Sequence, residues 1–341
     1  MYDALAVSQA CYLEHAVSVE QFLRNKGHRF TSVLVSSALS TDLEGHYIIA
    51  ERISGNDKVT ILGIRGSYCK ADWETNFKVW PSFSDHGWVH SGWYSRMLHL
   101  PQAILQNRLV LGHRIIITGH SLGGGVAQLL AMEMINMNSG AENSVINRIQ
   151  CITFASPVVK IGAGADNFNN VHKDRFWHFI HSRDIVPKVL TWMQEVIKSV
   201  SDVLLNSMFA SGSSTLSAIQ SIMKCASLLS TSDPTLRMGD WHDMKAHMNS
   251  GFVSRTGQLI ASAVHYKPVG LFFSVDSDDP FSALSVAEVA SIMDYSNIIV
   301  TLDMIEYHSL GGTYSHLILH SNQFQESMDR STYSNTLPGN D

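Results

Sequence analysis

The seven residues Gly119-His120-Ser121-Leu122-Gly123-Gly124-Gly125 constrain this chain more than any other stretch. They follow Ile115-Ile116-Ile117, an apolar run without polar alternation, which suits a strand covered on both faces in a parallel sheet. They precede Val126 to Ile135, an apolar helix. So abrupt a passage from strand to helix needs neighbours without side chains. A serine at the apex is held in a strained conformation, and its hydroxyl projects clear of the backbone. The helix beginning there aims backbone N–H groups and its positive dipole end at the same point, where an oxyanion can develop. These residues predict Ser121 as a nucleophile and the Leu122 N–H as one oxyanion donor. The bare G-x-S-x-G pattern arises readily by chance, and the buried strand before it and the apolar helix after it supply the specificity. A phosphate-binding loop is the competing reading, but GHSLGGG lacks the lysine of such a loop.

The surrounding pattern is that of an α/β chain. Two β-rich runs flank Ser54-Gly55-Asn56-Asp57, which supplies hairpin-turn chemistry, and the second, Val59 to Ile64, ends at Arg65-Gly66-Ser67. Ile149 to Phe154 and Phe176 to Ile180 repeat the buried-strand pattern, and the segment after Pro101 reads as a helix. Alternating strands and helices predict a mostly parallel central sheet flanked by helices. Residues 2–26 read as one helix. Residues 68–94 concentrate Trp73, Trp80, Trp88 and Trp93, which fit either core packing or the apolar wall of a cleft. Two apolar stripes within 191–250 imply two amphipathic helices, which either cover the sheet or form a mobile cap or membrane-contacting element. Strand signals return at Val264 to Val275. The expected organisation is one domain over 1–325, with 191–250 as a helical cap or insertion and 326–341 as a polar tail.

Composition excludes more than it selects. With 341 residues the chain can bury a large core, and 45% hydrophobic against 16% charged residues is ordinary for a globular protein. A formal net charge of −6, without a Lys/Arg cluster, argues against a nucleic-acid partner. Cys11, Cys69, Cys151 and Cys225 match no metal or redox spacing, and reduced, buried thiols are expected. The first residues lack a basic segment followed by an apolar core, and no run reaches about 18 apolar residues. The expectation is a cytoplasmic protein, with association at a membrane surface left open.

Several further motifs stand in order around the elbow: Ile64-Arg65-Gly66-Ser67, Asp72-Trp73 with Asn76, and Val89-His90-Ser91-Gly92-Trp93-Tyr94 before it; Thr153-Phe154-Ala155-Ser156-Pro157 and Asp184-Ile185-Val186-Pro187 after it. Together with GHSLGG, this series resembles the class 3 lipases, a branch of the α/β-hydrolases. Fungal triacylglycerol lipases, plant phospholipase A1-type enzymes and diacylglycerol lipases belong to that branch. The resemblance covers about residues 59–190, with a looser match at Tyr266-Lys267-Pro268-Val269-Gly270.

The resemblance implies an α/β-hydrolase fold with Ser121 as nucleophile, Asp184 as the acidic partner, and backbone N–H donors from Ser67 and Leu122. The order agrees with hydrolase chemistry, in which serine, acid and histidine follow one another along the chain. A late base leaves His265, His308, His316 and His320. His308 is favoured, because His308-Ser309-Leu310 resembles the family's H-x-L-x-x-Y element, with Tyr314 displaced by one position; His316 is the runner-up. The implied activity is hydrolysis of carboxylic esters of lipids through an acyl-enzyme, with no metal or organic cofactor. The implied partners are a lipid ester and, peripherally, a membrane or micelle surface. A lipase-like fold serving as a non-catalytic signalling or scaffold protein is the alternative, and a thioesterase or peptidase on the same fold is a third.

Overall fold

The structure, a computed structural model, describes residues 1–13, 15–36, 46–66, 81–84, 87–161, 164–184, 186–188, 266–277, 282–293, 307–314 and 317. The chain divides into two units, Met1–Val189 with Lys267–Asp341, and Leu190–Tyr266. The helices expected within 191–250 and the tail 326–341 lie outside the described residues.

The first unit is built on a seven-stranded sheet. The chain opens with α1 (Tyr2–Ala10) and α2 (Ala16–Asn25), followed by β1 (Ser32–Val35), β2 (Tyr47–Ser54) and β3 (Asp57–Ile64). Short strands β4 (Pro81–Ser84) and β5 (Gly87–His90) lead into α3 (Ser91–Leu98) and α4 (Gln102–Val110). Then come β6 (Arg114–His120), α5 (Leu122–Met137), α6 (Asn143–Ile146), β7 (Ile149–Phe154), β8 (Lys160–Ile161), α7 (Gly164–His172) and β9 (Phe176–Ile180). The chain then forms β10 (Tyr266–Lys267), β11 (Leu271–Ser274) and α8 (Val286–Met293).

The sheet runs β1-β2-β3-β6-β7-β9-β11. β1, β2 and β3 form an antiparallel meander, and from β3 onward each neighbour is parallel. The hairpin turn falls at Gly55-Asn56, as the sequence predicts, with Ser54 paired to Asp57. The register brings Ile64 beside Gly119 and His120 beside Phe154, so the carboxyl ends of the central strands meet at one place. Open parallel sheets carry their sites at that edge.

Alternation along β6 assigns its two faces. Ile116, Thr118 and His120 point one way, toward α1, where Ser8 and Thr118 hydroxyls pair at 2.8 Å and Thr118 also donates to the Ala4 carbonyl. Ile115, Ile117 and Gly119 point the other way, toward α5. All three isoleucines are buried, which is why the run shows no polar alternation. Helix α5 is itself buried on nearly every side, from Leu122 to Ile135.

The single helix expected over residues 2–26 is two helices. No Pro or Gly marks the break at Cys11–His15; α1 buries most of its surface, whereas α2 buries only Val19 and Leu23. One straight helix could not serve both settings, so tertiary contacts decide the interruption. The expected strand region Val264 to Val275 is likewise two short strands separated by Pro268 to Gly270. Gly270 has φ +97°, a conformation other residues rarely adopt.

His178 stitches this side of the sheet together. Its Nδ1 meets the Thr153 hydroxyl of β7 at 2.6 Å, and its Nε2–H donates to the Val269 carbonyl at 2.7 Å. Burial pushes its pKa down from 6.5 to about 4. The unfolded chain therefore binds an extra proton between those values, so this contribution to stability is complete above about pH 6.5 and is lost as the pH falls toward 4. His178 alone should cost roughly 3 kcal/mol over that window. Urea unfolding at pH 7 and pH 4.5 measures it; His178→Gln should flatten the slope, and an unflattened slope would contradict this account.

The packing of α1 is tested separately. A Cβ on Gly63 of β3 would sit 2.6 Å from Val7 Cγ1 and 2.7 Å from Cys11 Sγ. Gly63→Ala should destabilise by about 1–3 kcal/mol, whereas Gly140→Ala, with open space around its Cβ, should be neutral or slightly stabilising in the same thermal melts.

Candidate active site

Ser121 follows the last residue of β6 and caps α5 with φ 58° and ψ −132°, one of two non-glycine residues of positive φ among the described residues. Such a conformation costs of order 1–3 kcal/mol and survives only where its surroundings enforce it. Several contacts enforce it. The Ser121 N–H donates to the Phe154 carbonyl at 3.0 Å, and the Ser121 carbonyl accepts from Gly124 and Gly125 at 2.9 and 3.2 Å. Close packing does the rest. A Cβ on Gly119 would strike the Gly123 backbone and lie 2.7 Å from Gly124 N, while one on Gly123 would strike the Ile64 carbonyl and lie 2.8 Å from Arg65 C. The glycines at these positions thus follow from backbone meeting backbone across the turn.

Leu122 is the first residue of α5 and is buried. The opening N–H groups of a helix have no carbonyl of their own helix to bond, so the amides at Leu122 and Gly123 remain available at the elbow. Ser67 lies outside the described residues. Its neighbour Gly66 is described, and a Cβ there would come within 3.3 Å of Ser121 Cβ, so the end of β3 abuts the elbow. Of the aromatic group at 68–94, Trp93 is buried with its ring against Gly125 of α5, a core position; Trp73, Trp80 and the Trp88 side chain lie outside the described residues.

Asp184 stands four residues beyond the end of β9 and is fully buried. A buried carboxylate is costly unless hydrogen bonds satisfy it, and here they do. Oδ1 accepts from the Val186 N–H at 2.9 Å, and Oδ2 accepts from the Tyr314 hydroxyl at 2.7 Å. His308 Nδ1 lies 3.1 and 3.0 Å from the two oxygens. In the neutral form of the ring, that pairing puts the proton on Nδ1 and leaves Nε2 as an acceptor. The His308 ring lies 4.6 Å, centroid to centroid, from that of His120, the residue before Ser121, and the His308 carbonyl accepts from His120 Nε2–H at 2.8 Å. Ser121, Asp184 and His308 are thus gathered at one end of the sheet, although 124 residues (308 − 184) separate the last two. His265, His316 and His320 lie outside the described residues.

Tyr314 is the residue whose importance the sequence understates. It is fully buried; besides donating to Asp184, its oxygen accepts the His181 N–H at 2.9 Å. Its displacement by one position from the H-x-L-x-x-Y spacing has a structural counterpart. Leu310–Tyr314 forms a π-helical turn closed by Tyr314 N–H to the Ser309 carbonyl, and such a turn absorbs one extra residue. A fixed-spacing pattern could not have found it. Among the described residues no group of three or more His, Cys, Asp or Glu could hold a metal ion, and no helix is long and apolar enough to cross a membrane. Cys11 and Cys151 are free and buried, and burial pushes the Cys11 thiol up to about 12.

A mostly parallel sheet, a strained serine between strand and buried helix, and an acid–histidine pair at the carboxyl ends of later strands define an α/β-hydrolase. Residues 61–194 match the family model "Lipase (class 3)". No curated protein matches the chain. Among solved structures, it is similar to a fungal lipase–inhibitor complex at 19% identity, covering 55% of this chain and 71% of that one with TM-score 0.45. A lipase from Rhizopus microsporus var. chinensis is similar at 21% identity, covering 55% and 67% with TM-score 0.44. The Rhizomucor miehei lipase propeptide complex follows at 18%, covering 55% and 61% with TM-score 0.43. The family match supports hydrolysis of carboxylic esters of lipids.

Tyr314→Phe should leave the His181 N–H without its acceptor and Asp184 with one donor fewer. Stability should fall by roughly 1–3 kcal/mol, read as a lower urea midpoint at unchanged m value; an unmoved midpoint would mean that the buried phenol contributes nothing.

Proposed function

We propose that the protein hydrolyses acyl esters of lipids, acylglycerols or phospholipids, through an acyl-enzyme on Ser121. His308 Nε2 removes the Ser121 proton as Oγ attacks the ester carbonyl. The carbonyl oxygen becomes an oxyanion held by the Leu122 and Ser67 amides, with the α5 N-terminus adding its dipole. His308, now cationic, returns the proton to the leaving alcohol, and Asp184 holds the ring through Nδ1 and balances the charge. Water then attacks the acyl-enzyme by the same route in reverse. The reading places no metal or organic cofactor in these steps. The observation that carries it is the pairing of His308 with a buried, fully hydrogen-bonded Asp184 beside a serine held at φ 58°. The lipid nature of the ester rests on the family match, and contact with a micelle or membrane surface belongs to the same proposal.

Hydrolysis of p-nitrophenyl esters from acetate to palmitate, with and without detergent micelles, tests it. Ser121→Ala should lower kcat by about 10³-fold or more, and a fluorophosphonate should label Ser121 in the wild type alone. Turnover rising with chain length or at the micelle surface would support a lipid substrate. No turnover on any ester and no labelling would favour a non-catalytic, lipase-like binding protein.

A further inference from the structure

The mechanism leaves a buried polar chain unused. His120, 6% exposed, ends β6 on the face that meets α1. Its Nε2 lies 2.8 Å from the His308 carbonyl oxygen, which can only accept, so Nε2 carries a proton. Its Nδ1 lies 2.8 Å from the Tyr12 hydroxyl. Burial pushes the His120 pKa far down, so the ring is neutral and Nδ1 is an acceptor. Tyr12 must therefore donate its proton to Nδ1, and its oxygen packs against Gly66, where an added Cβ would strike it. One directional chain runs from the Tyr12 hydroxyl, packed against Gly66, through the His120 ring to the His308 carbonyl.

The geometry follows from matched periods. Ser8 and Tyr12 are four residues apart, about 6 Å at helical rise, with Tyr12 in the hydrogen-bonded turn just past the end of α1; Thr118 and His120 are two apart, about 6.6 Å along a strand. Ser8 bonds Thr118 and Tyr12 bonds His120, so α1 and the turn that follows it read two successive same-face positions of β6. The ends of the chain are also the parts that must stay in register. Gly66 is adjacent to the residue proposed as oxyanion donor, a Cβ on it would lie 2.6 Å from the His120 carbonyl, and His308 is the proposed base.

We propose that Tyr12 is a positioning residue which, by fixing the His120 tautomer, holds the backbone of the base loop at His308 and ties it to the end of β3. Without the phenol, either His120 Nδ1 is buried unsatisfied, or the proton moves to Nδ1 and the Nε2 lone pair faces the His308 carbonyl lone pairs. The second state pushes the base loop away. Tyr12 and His120 touch no reacting atom, and the inference rests on the proposed roles of Ser121 and His308.

The test uses the full chain and a short, soluble ester. Tyr12→Phe keeps the ring packing and removes only the hydroxyl. It should lower kcat by about tenfold, the equivalent of one buried hydrogen bond, leave KM within about twofold, and slow fluorophosphonate labelling in parallel. His120→Gln presents an acceptor and a donor side by side and should retain more kcat than His120→Ala, which presents neither. Wild-type kcat in Tyr12→Phe, or equal kcat in the two His120 variants, would overturn the proposal, and the second comparison decides should Tyr12→Phe not fold. Ser121→Ala run alongside separates the failures. Full activity there would sink the hydrolase reading and this inference together; an inactive Ser121→Ala beside a fully active Tyr12→Phe would sink the inference alone.

Discussion

The turn at Ser121 is the constraint around which the first unit is arranged. A non-glycine residue at φ 58° persists because β6 and α5 approach so closely that Gly119 and Gly123 meet backbone, and because Phe154 and Gly124 hold the serine by its amide and carbonyl. That closeness sets other features in turn. It requires α5 to be buried on almost every side and β6 to be buried on both faces. It also requires the end of β3 to lie against the elbow, which places Gly66 beside Ser121. Strain at the apex is balanced by burial around it, the usual way a folded protein carries a high-energy conformation at a site.

Burial of charge is the second organising element. Asp184 is removed from water, and its neighbours, Val186 N–H, Tyr314 and His308, replace the lost solvation. Two of these neighbours, His308 and Tyr314, come from one distant segment, so satisfying one carboxylate also fixes where residues 307–314 return to the sheet. His120 adds a second attachment through the His308 carbonyl. A polar network of this kind restricts conformations more sharply than apolar contact, because misalignment leaves buried groups unpaired.

Much of this was legible in the sequence. The elbow, the parallel strands Val59–Ile64, Ile149–Phe154 and Phe176–Ile180, and the Gly55-Asn56 turn are set by local composition, and the sheet order agrees with an α/β-hydrolase. The break between α1 and α2 was not legible, since no Pro or Gly marks it and only the different burial of the two segments demands it. Tyr314 was half legible: its identity suited the pattern, but a π-helical turn shifts its position by one residue.

What the sequence by itself determined is the local chemistry: a serine among glycines between an apolar strand and an apolar helix can fold in few ways, because short-range sterics and periodicity dictate it. Which histidine stands beside Asp184, and that Tyr12 reaches His120 across 108 positions, only the tertiary structure decided. Seventeen histidines look alike in a sequence. A hydrogen bond between distant segments depends on how separate elements stack against one sheet, and no local pattern records that distance.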